Sequence, residues 1–271
     1  LSGSQALAEI PAGRVLVTID SQSDIGEDFG LLADFVQVPA DVTVDDLNAA
    51  LSADEGPSFF SDMVFAGGVF AKPGEQAPVV LELAPGPWFI INTDLVGFAA
   101  LPLTVTGELP AEPVVVEALL TVHMTSYGFD LPESIASGEQ IWEVSNTSPV
   151  MHHLILLKAD QRYTFEEVML ALEQDNVGTA VEGAPDAPAI MEYGGVSLQT
   201  PGQTSFQVMN LDPGEYIVMC FRTDAIDSTE FHATQGVVDN FTVEYRDHVT
   251  VGSRFTTGSL VLRRHSKILI C

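Results

Sequence analysis

Cysteine is scarce in this 271-residue chain: there are two, Cys220 and Cys271. Two cysteines build no disulfide framework. With Cys271 at the last position and Cys220 inside an apolar run, no bridge between them is expected. Basic residues are also few, ten against 38 acids, for a formal charge of −28. A surface this acidic repels nucleic acid and anionic membranes. It reads first as a solubility device suited to a salty medium, and second as an acidic docking face for a basic partner. No apolar run approaches the ~18 residues of a membrane helix. The sequence also has no phosphate loop, GxGxxG turn, serine nucleophile elbow or zincin motif.

Glycine (22) and proline (16) are plentiful, and turn signals recur between short apolar runs, so the fold class expected is all-β. The first half mirrors the second. Thr43–Leu51 aligns with Thr164–Leu172, Phe65–Val69 with Glu192–Val196, Lys72–Gln76 with Thr200–Thr204, and Leu83–Asn92 with Leu211–Cys220. Four blocks recurring in order, roughly 121 to 128 residues apart, point to an internal duplication of one fold rather than to a solenoid. Each copy reads alike. An opening strand follows Gly13 or Gly138, and a second strand covers about Leu31–Val38 or Met151–Leu157. One short helix is then capped by Thr43 or Thr164, the latter in a capping box with Glu167. Phe165, Val168, Met169 and Leu172 share a helical face. The Gly-Gly and Pro-Gly pairs read as turns.

Four segments follow: residues 1–107, a Pro-rich linker at 108–116, residues 117–245, and a tail at 246–271. The loop Gly183–Pro188 lies inside the third. The tail carries +4 against −32 for residues 1–245. It therefore reads as lying outside the duplicated fold, as a disordered extension, a shifted reading frame or a basic arm on the acidic body. Ala6-Leu7-Ala8 before Glu9 reads either as the end of a signal peptide or as a clipped first strand.

Chemistry concentrates in the second copy. Tyr216–Phe221 is apolar at every position and should be buried on both faces. Cys220 stands at its end, His232 follows across a polar loop, and His152-His153 open a distant strand. Taken alone, Cys220 reads as a small core hydrophobe and His232 as an exposed loop residue. Taken together they are the ingredients of a His₂Cys copper site. The repeat supplies a control, because Cys220 aligns with Asn92, His232 with Asp94, Val237 with Ala99, and His152-His153 with Leu31-Leu32. The first copy has no histidine at all, so it reads as a scaffold or docking domain.

At these residues the chain resembles the cupredoxins, the blue copper proteins. The matching text is Asn146 through His152-His153 for the first ligand segment, then Cys220, His232 and Val237 for the second. The resemblance covers roughly Val122–Glu244 and implies tandem Greek-key β-sandwiches of cupredoxin type. It implies one mononuclear copper held by His152, Cys220 and His232, with Asn146 tying the ligand segments together and His153 hydrogen-bonding or facing solvent. Val237 stands at the axial position, where an apolar residue favours a higher potential. Met219 or Met151 is the substitute axial candidate. The segment from Cys220 to His232 is longer than in plastocyanin, and Phe221–Phe231 is expected to be mobile without metal. The function implied is electron transfer or copper carriage in a secreted or periplasmic protein with a protein redox partner. The alternative is a copper-free cupredoxin-like binding or structural module. Multicopper oxidases and copper nitrite reductases share the tandem architecture but use His-x-His or His-Cys-His pairs, which this chain lacks, so no enzyme activity is expected. A Cys-His nucleophile would need Cys220 in an exposed, electropositive place. Convergence of the three side chains on one point separates the copper reading from the copper-free one.

Overall fold

Strands and two short helices make up the computed structural model, which describes residues 9–20, 31–52, 59–71, 74, 76–92, 100–173, 190–223, 231–245, 260–261 and 267–270. The first half runs β1 (Ile10–Pro11), β2 (Gly13–Asp20), β3 (Leu31–Gln37), α1 (Val44–Leu51), β4 (Val64–Ala71), β5 (Gln76–Leu83), β6 (Gly86–Ile91) and β7 (Leu101–Thr106). The second runs β8 (Leu120–Thr125), β9 (Gly128–Asp130), β10 (Ser134–Ala136), β11 (Gly138–Asn146), β12 (His152–Ala159), α2 (Phe165–Glu173), β13 (Ile190–Gln199), β14 (Thr204–Leu211), β15 (Gly214–Met219) and β16 (Val238–Glu244). Two strands of the tail follow, β17 (Leu260–Val261) and β18 (Lys267–Ile270).

The strands form two sheets. One has the order β1-β7-β6-β3-β4-β13-β12-β15-β16-β10, the other β17-β18-β2-β5-β14-β11-β8-β9. The first sheet reads the same from either end, since β10, β16, β15, β12 and β13 take the places of β1, β7, β6, β3 and β4. Both sheets run unbroken through the junction of the halves, where β4 pairs with β13 and β5 with β14, all antiparallel.

Alternation builds the cores. In β2 the side chains of Val15, Val17 and Ile19 turn inward to the first sandwich, with Phe35, Leu81 and Trp88. The second sandwich closes around Trp142, Tyr216, Val218 and Phe241. The apolar run of β15 is buried on both faces for a visible reason. Tyr216, Val218 and Cys220 face the sandwich, whereas Ile217 and Met219 face a separate cluster with Val168 of α2. Both helices carry their expected caps. Thr43 accepts from the Asp46 N–H in a full capping box. Glu167 Oε2 accepts from the Thr164 N–H at 2.8 Å, and the Glu167 N–H donates to Thr164 Oγ1 at 3.3 Å. Those bonds hold both carboxyls below their ordinary values. Val168 is buried and Met169 packs beside it, whereas Phe165 lies at the rim.

Two expectations need correction. The Gly-Gly pairs are not turns: Gly67-Gly68 and Gly194-Gly195 lie inside β4 and β13. A Cβ on Gly68 would stand 1.7 Å from the Ala33 carbonyl oxygen, and one on Gly195 2.0 Å from that of Leu154. Glycine is there because the neighbouring strand's backbone comes too close for any side chain. Both sheets run on from one half into the other. Finally, the tail contributes a strand: β18 pairs antiparallel with β2, Lys267 opposite Asp20. The linker is an exposed coil, with Val115 82 % accessible. Ala6–Ala8, Asp94, Ala99 and Gly183–Pro188 lie outside the described residues, as does the side chain of Leu172. Among the described residues no helix is long and apolar enough to cross a membrane.

Candidate metal centre

Two loops at one end of the second sandwich supply the site. The first joins β11 to β12. Asn146 folds it: its Oδ1 accepts from the Ser148 N–H at 3.0 Å, and its Nδ2 donates to the Val150 carbonyl at 2.9 Å and to that of Gln199 at 2.7 Å. Ser148 Oγ adds a bond to the Val150 carbonyl at 2.7 Å. The Asn146 backbone is held by Gly202 and Gln203. This pinned turn delivers His152 inward at the start of β12. Asn146 thus secures the first loop to β13, and does not tie it to the Cys220 segment as expected.

The second loop joins β15 to β16. Cys220 keeps a ladder bond beyond the strand end, its N–H donating to the Val237 carbonyl at 3.2 Å, and its carbonyl accepts from the Ala233 N–H at 2.7 Å. The chain then leaves and returns through a neck. The His232 N–H donates to the Arg222 carbonyl at 2.6 Å, and Thr223 bridges Phe231 antiparallel. His232 opens a 3-10 turn that ends at Gly236, whose φ of 102° is the left-handed conformation glycine permits. The long spacing between Cys220 and His232 therefore does not separate them, because the bonds at the neck draw the two ends of the segment together. Most of the Phe221–Phe231 segment, residues 224–230, lies outside the described residues.

The three side chains converge. Cys220 Sγ lies 3.4 Å from His152 Nδ1 and 3.5 Å from His232 Nδ1, and the two nitrogens are 3.2 Å apart. All three residues are at most 3 % exposed. The point equidistant from the three atoms lies roughly 1.9 Å from each, beside the 2.0–2.3 Å bonds that imidazole and thiolate make to a d-block ion. Two imidazole nitrogens and one soft sulfur are a donor set for copper or zinc. Burial pushes the Cys220 thiol up to about 11, opposed by backbone N–H bonds from His153 and Arg222 and by the Arg222 charge. A metal would have to displace that proton, as thiolate ligation requires.

His153 points to the other face of β12, as alternation demands. Its Nε2 accepts from the Phe221 N–H at 2.7 Å. Burial first, then the charges of Arg222, His152 and His232, lower its pKa to about 3, so it stays a neutral acceptor. Val237 is buried in the cluster that holds Cys220, and its N–H donates to the His232 carbonyl at 2.9 Å. Neither candidate methionine packs there: Met219 belongs to the cluster under α2, and Met151 to the one under α1. In the first half Asn92 and Leu32 are buried at the matched places. Sequence pattern does not single out Arg222. The signal for it is its position two residues past Cys220 in a chain with few bases.

The second sandwich thus carries a buried His-Cys-His group at one end. No protein-family model matches the chain, and no curated protein does. Solved structures do. An auracyanin from Roseiflexus castenholzii is 15 % identical over 46 % of this chain and 95 % of its own, with a TM-score of 0.29. A multi-copper oxidase from Pediococcus acidilactici is 12 % identical over 91 % of this chain, with a TM-score of 0.27. A Cu-containing nitrite reductase from Thermus scotoductus is 10 % identical over 87 %, with a TM-score of 0.26. This chain spans 52 % of that oxidase and 54 % of that reductase.

Proposed function

We propose that the chain is a tandem cupredoxin-like protein that binds one copper ion at His152, Cys220 and His232 for one-electron transfer or copper carriage. The observation that carries this is the convergence of three buried donors, all within 4.8 Å of one another. Bound copper would supply one-electron exchange between its two oxidation states. The protein's part is rigidity: the Asn146 turn holds His152, and the ladder and neck bonds hold Cys220 and His232. Such a site exchanges an electron with little rearrangement. Val237 leaves an apolar side toward the ion, and the first half serves as scaffold. We assign the protein to the periplasm or the cell exterior, with a protein as redox partner. The reading as an electron carrier rather than an enzyme is supported by the sequence, which contains no His-x-His or His-Cys-His pair.

The test is a Cu(II) titration followed by visible absorption, with Cys220→Ser as control. The expected result is an intense charge-transfer band at one copper per chain that the variant lacks. No band and no retained copper would leave the copper-free module as the function.

A further inference from the structure

We infer that Arg222, clamped by Phe60 from the first half of the chain, tunes the reduction potential of the metal centre. The inference rests on the copper reading above. Arg222 is wired to His232 through its backbone: its carbonyl accepts the His232 N–H at 2.6 Å. Its guanidinium carbon sits 5.0 Å from the centroid of the Phe60 ring, within cation–π range. Phe60 opens the 3-10 turn Phe60–Asp62 and leans on buried Phe65, ring centroids 5.2 Å apart. The side chain is thus held by an aromatic pair belonging to the half that has no ligand.

The sign follows from charge. With one thiolate and two neutral imidazoles, Cu(II) leaves the site one positive charge above Cu(I). A guanidinium keeps its charge at any working pH, and a fixed cation raises the energy of the more positive state. The reduced form is favoured and the potential rises. Arg222 stands two residues past Cys220 and holds the backbone of His232, so its side chain is rooted beside two of the three ligands. It acts against the body of the protein, whose −32 over residues 1–245 favours Cu(II). The first half therefore has a part in the chemistry without touching the ion.

The experiment is spectroelectrochemical titration of the copper-loaded full chain, comparing wild type, R222Q, R222K, F60L and the F60L/R222Q double variant. R222Q should keep the charge-transfer band and lose three- to tenfold in the Cu(I)-to-Cu(II) ratio at fixed applied potential, about 30–59 mV. R222K should recover part of that loss. F60L should lower the potential less than R222Q, and should add nothing in the R222Q background, because the two act through one contact. An unchanged potential in R222Q with the band intact would overturn the role of Arg222 and leave the copper reading standing. A full F60L effect in the R222Q background would overturn the clamp. A wild type without a Cys220-dependent band removes both readings together.

Discussion

Gly195 shows how a missing side chain positions a metal ligand. Its φ is 153° and its Cα faces the Leu154 carbonyl, where a Cβ would come within 2.0 Å of backbone oxygen. Leu154 is two residues beyond His152 on β12, so a shift there moves the ligand. Gly194 has a similar φ of 149° but open space around it. Gly194→Ala should therefore cost about 1 kcal/mol of backbone strain. Gly195→Ala should cost roughly 3 kcal/mol or more, since the clash adds to the strain. Urea midpoints of the two variants check this, and equal midpoints would mean that the close approach is unimportant. Asp239 offers a pH test. Its carboxyl is raised above its ordinary 3.8 by burial, partly offset by the Phe129 N–H that it accepts at 2.9 Å. A raised folded pKa means the protonated form suits the fold. Its stabilising share is complete below the ordinary value and is lost as pH climbs through the raised one. Asp239→Asn, which keeps an acceptor for Phe129, should thus gain in thermal stability over wild type at pH 7. That gain should vanish at pH 3.

At the scale of elements, the neck at Arg222–His232 decides whether the site exists. The backbone bonds from His232 to Arg222 and from Ala233 to Cys220, with the Thr223–Phe231 bridge, set the approach of His232 to Cys220. Replacing residues 224–230 by a two-residue Asn-Gly turn, which closes an antiparallel pair, should leave the charge-transfer band in place. Loss of the band on shortening, in a protein that still folds, would show that residues 224–230 hold the site. This is also where sequence pattern reaches its limit. The strands, both capped helices and the residues His152, Cys220 and His232 are legible, because they rest on local periodicity and on comparing two copies. The neck is not, since its bonds join residues eight and ten apart across a segment with no repeating pattern. The Gly-Gly pairs mislead for a related reason. A turn and a close crossing of two strands both call for glycine, and only the neighbouring strand distinguishes them. Asn146 misleads likewise, because an asparagine amide bonds whichever backbone is near, and here that is its own turn and Gln199 of β13.

Over the whole molecule, the two halves share both sheets and are expected to fold as one unit. Their sheets join edge to edge, Val69 opposite Val196 and Val80 opposite Phe206. The apolar clusters also interlock. Phe70 of β4 packs under α2, and Leu198 of β13 with Met151 packs under α1. Polar groups are buried in the same seam: Asp34 accepts from Ser197 Oγ and from the Leu198 N–H, and Gln207 Nε2 donates to the Gly68 carbonyl at 2.9 Å. Pulling the halves apart would expose the apolar residues and leave these groups without their partners, each of which is costly. No state with one half folded and the other unfolded is then stable enough to accumulate. Calorimetry of the full chain should show a single transition, with the van't Hoff and calorimetric enthalpies equal. The isolated segment 117–245 should fail to give a cooperative transition, although it contains all three candidate ligands. Two separable transitions, or a segment that folds and binds copper alone, would show that the seam is only a contact between independent domains.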